Sequence, residues 1–447
     1  MPPTATAPLR SRVPLLGGTL DYVHDPLDFM RRNHERQGAV GKIRFLGVRW
    51  TMLVGPDAVE AALVNRDKAF ANGPGWGFLV GPFFDRGLML LDFGEHRDHR
   101  RLMQEAFTRD RLASYAAALA PAVAEGVAGW RPDRGFRAYP ALKSLTLDLA
   151  TQVFMGGAEL TDDRELDRVN EAFVDCVQAA AAVVRLPLPG TRWRRAVRGR
   201  AVLEEFIGRQ LPAKRAGDGD DLMSVLCHLA VDGERFSDAD VVNHLIFLLM
   251  AAHDTSTITV STMLQQLGQH PEWQERCRQE ALALPEEPSL DDLSRMEDLD
   301  LVMKECLRLV TPVPVLARRT VKETEVLGHR IPAGRLTAVM PHHMHHDPAY
   351  WPEPERFDPE RFADHRQEHK VHRYAWAPFG GGVHKCLGMH FAGMEVKLIM
   401  HSLLRRFEWT VPSTYVAPMN HHSLPFPRDG QPIDLRERRA AVPEGSR

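Results

Sequence analysis

Cysteine is scarce in this chain of 447 residues. Long apolar stretches, which mark membrane proteins, and long basic stretches, which mark nucleic-acid-binding proteins, are also lacking. The five cysteines are scattered and form no Cys-x-x-Cys pair, which argues against a disulfide framework and against a zinc ribbon. Residues 1–25 are rich in proline and lack a signal-type apolar stretch, and no segment has the roughly 20 apolar residues of a membrane span. We therefore expect a cytoplasmic protein without a membrane span.

An excess of charge of one sign is also lacking. The 56 lysines and arginines stand against 59 aspartates and glutamates, a net charge of −3, and there is no long basic stretch. Nucleic acid is therefore not expected as a partner. Hydrophobic residues at 44% and charged residues at 26% are typical of a folded globular protein. No internal repeat or separate linker is visible, so we expect a single domain over residues 1–447.

Hydrophobic periodicity predicts more helix than strand. Helical spacing of apolar residues occurs at 97–107, 113–130, 163–184, 195–209 and 222–230. β-branched and aromatic residues cluster at 40–54, around a Leu-Gly step suited to a hairpin turn, and strand signals return at 319–339. The pattern predicts a mainly α-helical protein with a smaller β-rich lobe.

The longest predicted helix covers residues 237–268. A Ser-x-x-Asp pattern favours its start. The apolar stretch 245–252 is too short to cross a membrane, so we expect it to be buried within the protein. His253 and Asp254 interrupt this apolar run, and a polar interruption of a buried helix indicates a functional role.

The sharpest local signal is a glycine-rich loop at residues 379–388, Phe-Gly-Gly-Gly-Val-His-Lys-Cys-Leu-Gly. Its three glycines let the backbone approach a flat and bulky group. Cys386 stands at the start of a predicted helix, where unpaired N–H groups and the helix dipole favour the thiolate, the form that binds metals. By itself, the loop is also compatible with a glycine turn before an ordinary helix that carries an inert cysteine.

The loop resembles the heme-binding signature of the cytochrome P450 family, Phe-x-x-Gly-x-Arg/His-x-Cys-x-Gly, at every specified position. The resemblance implies the cytochrome P450 fold and heme b (iron protoporphyrin IX) as cofactor. It also implies that Cys386 is the axial ligand of the heme iron and that Phe379 and Gly380 contact the cofactor. A thiolate ligand favours O–O bond cleavage, which is the chemistry of a monooxygenase.

A second motif of the same family is a Glu-x-x-Arg pair, formed here by Glu305 and Arg308 on one predicted helix face. By itself such a pair is a common surface feature. Arg356 stands in a Pro-Glu-Arg-Phe stretch between that helix and the cysteine loop, as the family pattern requires. The resemblance implies that Glu305, Arg308 and Arg356 form a buried structural network that shapes the heme pocket.

The predicted central helix carries the third motif, Ala-Ala-His-Asp-Thr-Ser at residues 251–256, similar to the family pattern Ala/Gly-Gly-x-Asp/Glu-Thr-Thr/Ser. A helical threonine can donate a hydrogen bond to the carbonyl four residues earlier, which loosens one turn and leaves space for dioxygen and water. The resemblance implies that Asp254 and Thr255 are the catalytic pair for proton delivery. Ala252 stands where glycine is usual, and its methyl group narrows this groove.

Basic side chains are expected around the two propionates of a heme. The resemblance nominates His96, Arg100, Arg318 and His384. Arg319 is a rival to Arg318 by a shift of one residue. The alternative is that these side chains are ordinary surface charges.

The family fold occupies nearly the whole chain and leaves no flavin or nicotinamide module, so the resemblance implies an external electron donor. A ferredoxin and its reductase are the expected donors, docking on the face behind Cys386. The expected substrates are O2 and a lipophilic small molecule that is sterol-, terpenoid-, retinoid- or fatty-acid-like. The segments expected to line its pocket are 76–91, 186–191, the helix near Leu249, 313–316 and 423–426.

Other functions fit parts of the pattern. A thiolate-heme peroxygenase or isomerase would need no external electrons, but such an enzyme can dispense with Asp254 and Thr255. A heme sensor or carrier would need a partner module or a second axial ligand, for which His253 is the candidate. The histidines in residues 342–346 tempt a metal-site interpretation. Neighbouring side chains of an extended segment point to opposite sides, which disfavours it.

Overall fold

The computed structural model describes residues 18–45, 47–156, 163–179, 182, 184–421 and 424–438. Most of the proline-rich segment 1–25 and Ser423 of a predicted pocket segment lie outside the described residues. The helices are α1 (Thr19–His24), α2 (Pro26–Gln37), α3 (Pro56–Val64), α4 (Gly73–Phe84), α5 (Phe93–Gln104), α6 (Arg109–Ala128), α7 (Ala138–Met155), α8 (Asp163–Ala179), α9 (Arg192–Ala216), α10 (Leu222–His228), α11 (Asp238–Gln269), α12 (Pro271–Leu282), α13 (Leu290–Leu293), α14 (Glu297–Leu309), α15 (Pro341–His345) and α16 (Met389–Arg406).

The strands form one five-stranded sheet and four smaller ones within the described residues. They are β1 (Val40–Phe45), β2 (Val48–Leu53), β3 (Phe70–Ala71), β4 (Phe136–Arg137), β5 (Ala230–Val231), β6 (Glu234–Arg235), β7 (Leu316–Thr320), β8 (Thr324–Val326), β9 (His329–Ile331), β10 (Leu336–Val339), β11 (Phe407–Thr410), β12 (Met419–Asn420), β13 (Phe426–Pro427) and β14 (Pro432–Glu437). The main sheet has the order β1-β2-β10-β7-β3, in which β2 and β10 pair in parallel and the other neighbours antiparallel. The expected mainly helical fold with a smaller β-rich lobe is confirmed.

Individual elements follow the sequence prediction with shifted ends. The predicted hairpin is formed by β1 and β2, which pair antiparallel with Val40 opposite Leu53. Helix α9 continues beyond the predicted end at residue 209 because its last turns are anchored. Leu211 is buried there, and Lys214 forms an ion pair with Asp221 at 2.9 Å between two buried side chains. The single domain over 1–447 stays a prediction.

Helix α11 is the core element that the sequence predicted. The Ser237 hydroxyl and the Asp240 carboxylate satisfy each other's main-chain N–H groups and define the start of the helix. By length and composition α11 could cross a membrane, but 72% of its most apolar 18-residue window is buried inside the protein. Its apolar surface is therefore used by the core of the fold.

Helices α8 and α9 pack closely above α4. Gly199 of α9 faces the main chain of α8, where a Cβ atom would lie 2.5 Å from the carbonyl oxygen of Ala172. The buried Arg200 donates to the carbonyl oxygen of Phe83 at 3.1 Å and pairs with Glu204 at 2.7 Å. This arginine therefore holds α9 against the end of α4.

We expect Gly199→Ala to destabilise the protein, because the added methyl group collides with the carbonyl oxygen of Ala172. Separating the two helices costs about 1–3 kcal/mol. Gly208→Ala in the same helix is the matched control, since no atom lies within 4 Å of its new methyl group. That variant should gain up to about 1 kcal/mol from helix propensity. Thermal unfolding checks both, and an unchanged Tm for Gly199→Ala would contradict the close contact.

Candidate functional site

The glycine-rich loop turns tightly and brings Cys386 to the start of α16. Cys386 donates its main-chain N–H to the carbonyl oxygen of Phe379 at 2.9 Å, which closes the loop. Gly380 and Gly382 have φ angles of +66° and +63°, which side-chain-bearing residues rarely adopt. A Cβ atom at Gly382 would also lie 1.8 Å from the carbonyl oxygen of Leu63. Both conformation and space therefore require glycine at this position.

The Cys386 side chain is accessible although protein atoms surround it on most sides, so it faces an interior space. Burial raises the pKa of its thiol, whereas the main-chain N–H of Gly388 and the charges of Arg100 and Lys385 lower that pKa. The sulfur thus receives a hydrogen bond and positive charge while one side stays open. This environment suits a thiolate that binds a metal. The metal's positive charge supplies the part of the stabilisation that the hydrogen bond and the two cations do not provide.

Four basic side chains converge beside this loop. The rings of His96 and His384 lie with their centroids 3.8 Å apart and their planes tilted by 36°. Burial and the nearby charges of Arg100 and Arg318 lower the pKa of His96 to about 4 and that of His384 to about 2. Burial also lowers the pKa of Arg318 to about 10, and Asp92 is the acidic group that opposes this shift. The cluster therefore has more positive charge and more donors than its one carboxylate balances.

Anionic groups would relieve this imbalance, and the two propionates of a heme are such groups. The structure brings together the four side chains that the sequence nominated for them. Because successive residues of a strand alternate in direction, Arg318 of β7 faces this cluster and Arg319 faces away. The donors and the open cysteine therefore fit a heme.

One face of α11 opens onto an interior space. Phe247, Met250, Ala251 and Thr255 are only partly buried, although most of the helix is packed in the core. Their spacing of three and four residues places them on one side of the helix. The Thr255 hydroxyl donates to the carbonyl oxygen of Ala251 at 2.7 Å, which confirms the predicted back-bond. The space between this stripe and the cysteine loop is called the cleft below.

Asp254 lies on a different face of α11 and points toward α7. One oxygen of its buried carboxylate lies 3.3 Å from Nζ of Lys143 and 3.4 Å from Nδ1 of His253. Lys143 is 32% exposed, so this ion pair connects a buried carboxylate with solvent. Asp254 and Thr255 are therefore adjacent in sequence but about 100° apart around the helix.

His253 is committed to the contact between α11 and α7. Its ring is fully buried, and Nε2 lies 3.0 Å from the carbonyl oxygen of Lys143. Burial lowers the pKa of this imidazole, so the ring is neutral and Nε2 carries the hydrogen that binds the carbonyl. The hypothesis of a heme sensor with His253 as second axial ligand is therefore wrong.

Glu305 and Arg308 form a fully buried ion pair, with Nε and Nη2 of the arginine 2.7 and 2.8 Å from the carboxylate. The third member of the network is Arg361, whose buried Nε lies 3.5 Å from Glu305. The assignment of Arg356 to this network is wrong. Its side chain is 64% exposed and pairs with Glu353, and only its carbonyl oxygen accepts a 3.3 Å hydrogen bond from Arg308.

The error has a simple physical origin. The sequence contains Pro-Glu-Arg-Phe twice, at 354–357 and at 359–362. The second copy forms a short 3-10 helix packed against α14, which buries Arg361 and Phe362, whereas the first lies in surface turns. The two four-residue motifs are identical in sequence, so only their positions in the fold distinguish the buried arginine from the exposed one.

His345 links this buried ion pair to the cysteine loop. Arg308 Nη1 donates to the carbonyl oxygen of His345 at 2.9 Å, and His345 Nε2 accepts the N–H of Ala377, just before the loop, at 3.0 Å. Nδ1 must then carry the ring hydrogen, which it donates to the hydroxyl of Thr311 at 2.8 Å. Burial lowers the pKa of this imidazole well below its usual value, as a neutral ring requires. A chain of buried hydrogen bonds thus connects Glu305 with the cysteine loop.

The other histidines of residues 342–346 have separate partners. His343 lies 2.9 Å from His34, and His346 lies 2.9 Å from Glu355. Residues 341–345 form the short helix α15, so the predicted extended conformation of this segment is wrong. The described part of the chain holds no group of three or more His, Cys, Asp or Glu side chains arranged to bind a metal ion.

Glu395 was not among the residues predicted from the sequence, and it is buried in α16 beside α11. The Ser256 hydroxyl donates a hydrogen bond to its carboxylate. Burial raises the pKa of Glu395 to about 7, and the Ser256 hydrogen bond opposes that shift only in part. The available signal was an acidic residue within the apolar face of the helix that follows Cys386.

Some of the predicted pocket segments present half-buried apolar side chains, whereas others lie in the core or on the outer surface. Half-buried apolar side chains come from α4 and the following turn and from the segment before β7; they are Trp76, Leu79, Met89, Leu90, Val313, Val315 and Leu316. Leu249 is 4% exposed and packs in the core. The assignment of residues 186–191 to the pocket is wrong, because Leu186 and Leu188 are 59% and 51% exposed. This proline-rich connection passes over the outer surface of the protein.

The helical fold, the open cysteine and the basic cluster define a heme-thiolate protein. The chain belongs to the cytochrome P450 family, since the family model described as Cytochrome P450 matches residues 7–433. It is 45% identical over 431 residues to a cytochrome P450 136 of Mycobacterium tuberculosis, covering 95% of this chain and 87% of the relative. It is 30% identical over 423 residues to cyclooctat-9-en-7-ol 5-monooxygenase of Streptomyces melanosporofaciens, covering 90% and 89%.

A solved structure agrees with this assignment. Retinoic acid-bound cyanobacterial CYP120A1 superimposes with a TM-score of 0.87 at 27% identity, covering 95% of this chain and 97% of the other. The protein is therefore a cytochrome P450 enzyme, an oxidoreductase of the monooxygenase type with heme b as cofactor. Its family uses O2, lipophilic substrates and redox partners.

We expect Arg361→Gln to lower both the heme content and the Tm of the purified protein. Removing one partner of a buried ion network costs about 3–5 kcal/mol, and Glu305 would keep a single cation. Arg356→Gln is the matched control, because its exposed side chain should change stability by less than about 0.5 kcal/mol. The heme-to-protein absorbance ratio and thermal unfolding check both. Equal behaviour of the two variants would contradict the reassignment.

We expect Glu395→Gln to change how stability depends on pH. Because the folded pKa of Glu395 is raised from 4.5 to about 7, the folded state holds a proton that the unfolded chain has released. Wild-type stability therefore falls as pH rises from about 4.5 to 7, by up to about 3 kcal/mol. The variant lacks this loss, so its Tm relative to wild type should be higher at pH 8 than at pH 5. A Tm difference independent of pH would refute the raised pKa.

Proposed function

We propose that the protein inserts one oxygen atom of O2 into a lipophilic small molecule of the sterol, terpenoid, retinoid or fatty-acid-like class. The observation that carries this proposal is the stripe of α11 that combines apolar side chains with the single hydroxyl of Thr255. Half-buried Trp76 and Leu79 of α4 extend the apolar surface. A relative that oxidises cyclooctat-9-en-7-ol and a structural neighbour that binds retinoic acid support a lipophilic substrate.

In this proposal the residues around the cysteine hold the cofactor. When bound, a thiolate-ligated heme supplies the activation of O2 and its transfer to carbon. The main-chain N–H of Gly388 and the charge of Arg100 stabilise the Cys386 thiolate. Arg318 would bind a propionate through its positive charge, and the neutral rings of His96 and His384 would donate hydrogen bonds to the propionates.

Asp254 and Thr255 would divide proton delivery between two faces of α11. Asp254 takes up a proton at the carboxylate oxygen beside Lys143, whose side chain reaches solvent. The Thr255 hydroxyl gives its own hydrogen to Ala251, so its lone pairs are free to accept a hydrogen bond from water in the cleft. The methyl group of Ala252 narrows the cleft next to this hydroxyl.

We propose a ferredoxin and its reductase as electron donors, in the cytoplasm. The basic residues expected to contribute to docking are Lys385, Arg100 and Arg101, of which Lys385 is exposed beside Cys386. Arg101 is paired with Asp232 of the β5–β6 turn, and Arg100 acts on the cysteine from inside the protein. The docking surface therefore needs other residues in addition to Lys385.

Incubation with O2, a ferredoxin system and candidate substrates tests this function. Labelled dioxygen should place one heavy oxygen atom in the product, and substrate binding should shift the Soret band of the heme-loaded protein. The alternative is a peroxygenase or isomerase, which needs no external electrons. Product that forms equally well with peroxide and without reductant, or without incorporation of oxygen, would favour that alternative.

We expect Thr255→Ala to retain heme but to uncouple the reaction. Without the hydroxyl, protons reach the cleft in a disordered way and reduced oxygen leaves as peroxide, so product per reductant should fall about tenfold or more. Thr262→Ala is the control, because its buried hydroxyl makes the same kind of back-bond, to Ile258 at 2.9 Å. Product, peroxide and reductant consumption are measured together. Tight coupling in Thr255→Ala would remove this residue from proton delivery.

A further inference from the structure

The connection from α8 into α9 is strongly basic. No aspartate or glutamate occurs between Asp175 and Glu204. That interval contains the arginines 185, 192, 194, 195, 198 and 200 and no lysine. Such a surface attracts anions over a distance of about one Debye length.

Arg185 stands where this basic segment meets α4 and α9. It donates through Nη1 to the carbonyl oxygen of Phe78 and through Nε to that of Ala182, at 3.3 Å in the latter case. The guanidinium lies 4.7 Å from the centroid of the Phe78 ring and 5.7 Å from that of Trp193. These contacts orient the planar group between two aromatic rings.

Arg185 has no carboxylate partner among the described residues. Burial lowers its pKa, and no acidic group opposes that shift. The buried arginines Arg308 and Arg278 differ, since they pair with Glu305 and Glu275. A half-buried cation that has only carbonyl and aromatic partners is incompletely compensated. Its Nη2 group makes no hydrogen bond to any described residue and is free to donate to an anion.

Arg185 is connected through α4 to the basic cluster beside Cys386. Its partner Phe78 lies one helical turn after Gly75, where α4 touches the main chain of Arg318 at the basic cluster beside Cys386. The neighbouring Trp76 and Leu79 present half-buried apolar surface. Arg185 is therefore anchored to α4, the helix that carries this apolar surface.

Building on the proposed function, we infer that the substrate is a lipophilic molecule with a carboxylate, and that Arg185 binds this carboxylate at the edge of the cleft. The free Nη2 group can donate a charge-assisted hydrogen bond to a carboxylate oxygen. The apolar part of the substrate would then extend toward Phe247 and Thr255 of α11. Among the proposed classes, this selects retinoid or fatty acids over neutral sterols and terpenoids.

The test compares matched acids and alcohols on the heme-loaded protein. Retinoic acid and retinol, and palmitic acid and hexadecanol, are titrated while the Soret band is followed. We expect at least one acid to bind about 10- to 100-fold more tightly than its alcohol, the range of a hydrogen bond to a charged group. Added salt should weaken binding of the acid and not of the alcohol.

Variants of Arg185 distinguish binding of the substrate carboxylate from a purely structural role of this side chain. Arg185→Gln should abolish the preference for the acid and leave the affinity for the alcohol within about twofold, whereas Arg185→Lys should retain part of it. Arg192→Gln is the matched control, because it removes one exposed charge of the same basic segment and should keep the preference. Equal weakening of acid and alcohol in Arg185→Gln would show a purely structural role and overturn the inference.

Other results also overturn it. These are equal binding of acids and alcohols, no binding of either acid, and an undiminished preference in Arg185→Gln. A neutral azole that coordinates heme iron is titrated in parallel. A normal azole response without acid preference overturns the acidic substrate alone, whereas loss of the heme-thiolate response overturns the proposed function with it.

Discussion

A charged sulfur inside the protein is the constraint on which the rest of the structure depends. Burial opposes ionisation of Cys386, so a thiolate at this position requires the N–H of Gly388, the nearby cations and a bound metal together. The loop can provide this geometry only because Gly382 fits against Leu63. The Glu305 ion network, acting through the neutral ring of His345, holds the start of the same loop in place.

Three faces of helix α11 contact three different parts of the structure. Thr255 and the apolar stripe face the cleft, Asp254 and His253 face α7, and Ser256 faces Glu395 of α16. Because successive helical residues differ by about 100°, four consecutive polar residues can serve different neighbours without crowding one another. His253, Asp254 and Ser256 therefore each have a polar partner in a neighbouring helix, which lowers the cost of burying them.

Most features that the sequence predicted correctly lie within one short segment of the chain. The cysteine loop, the Glu-x-x-Arg pair and the capped central helix can each be recognised from the spacing of nearby residues. The basic cluster was predicted from the family resemblance. Arg361 was missed because an identical motif stands five residues earlier, and only packing against α14 distinguishes the two. Leu186 and Leu188 were misplaced because hydrophobic residues occur on surfaces as well as in pockets. The role of His345 depends on contacts with two distant segments, residues 308–311 and Ala377, that local periodicity does not encode.

The most direct measurement of the central claim is the absorption spectrum of the reduced, carbon monoxide-bound protein, recorded for wild type and for Cys386→His. A wild-type Soret band at the strongly red-shifted position of thiolate ligation, lost in the variant, is the result this account predicts. A wild-type band at the position of histidine-ligated heme would contradict the assignment of Cys386, and with it the function built on that thiolate.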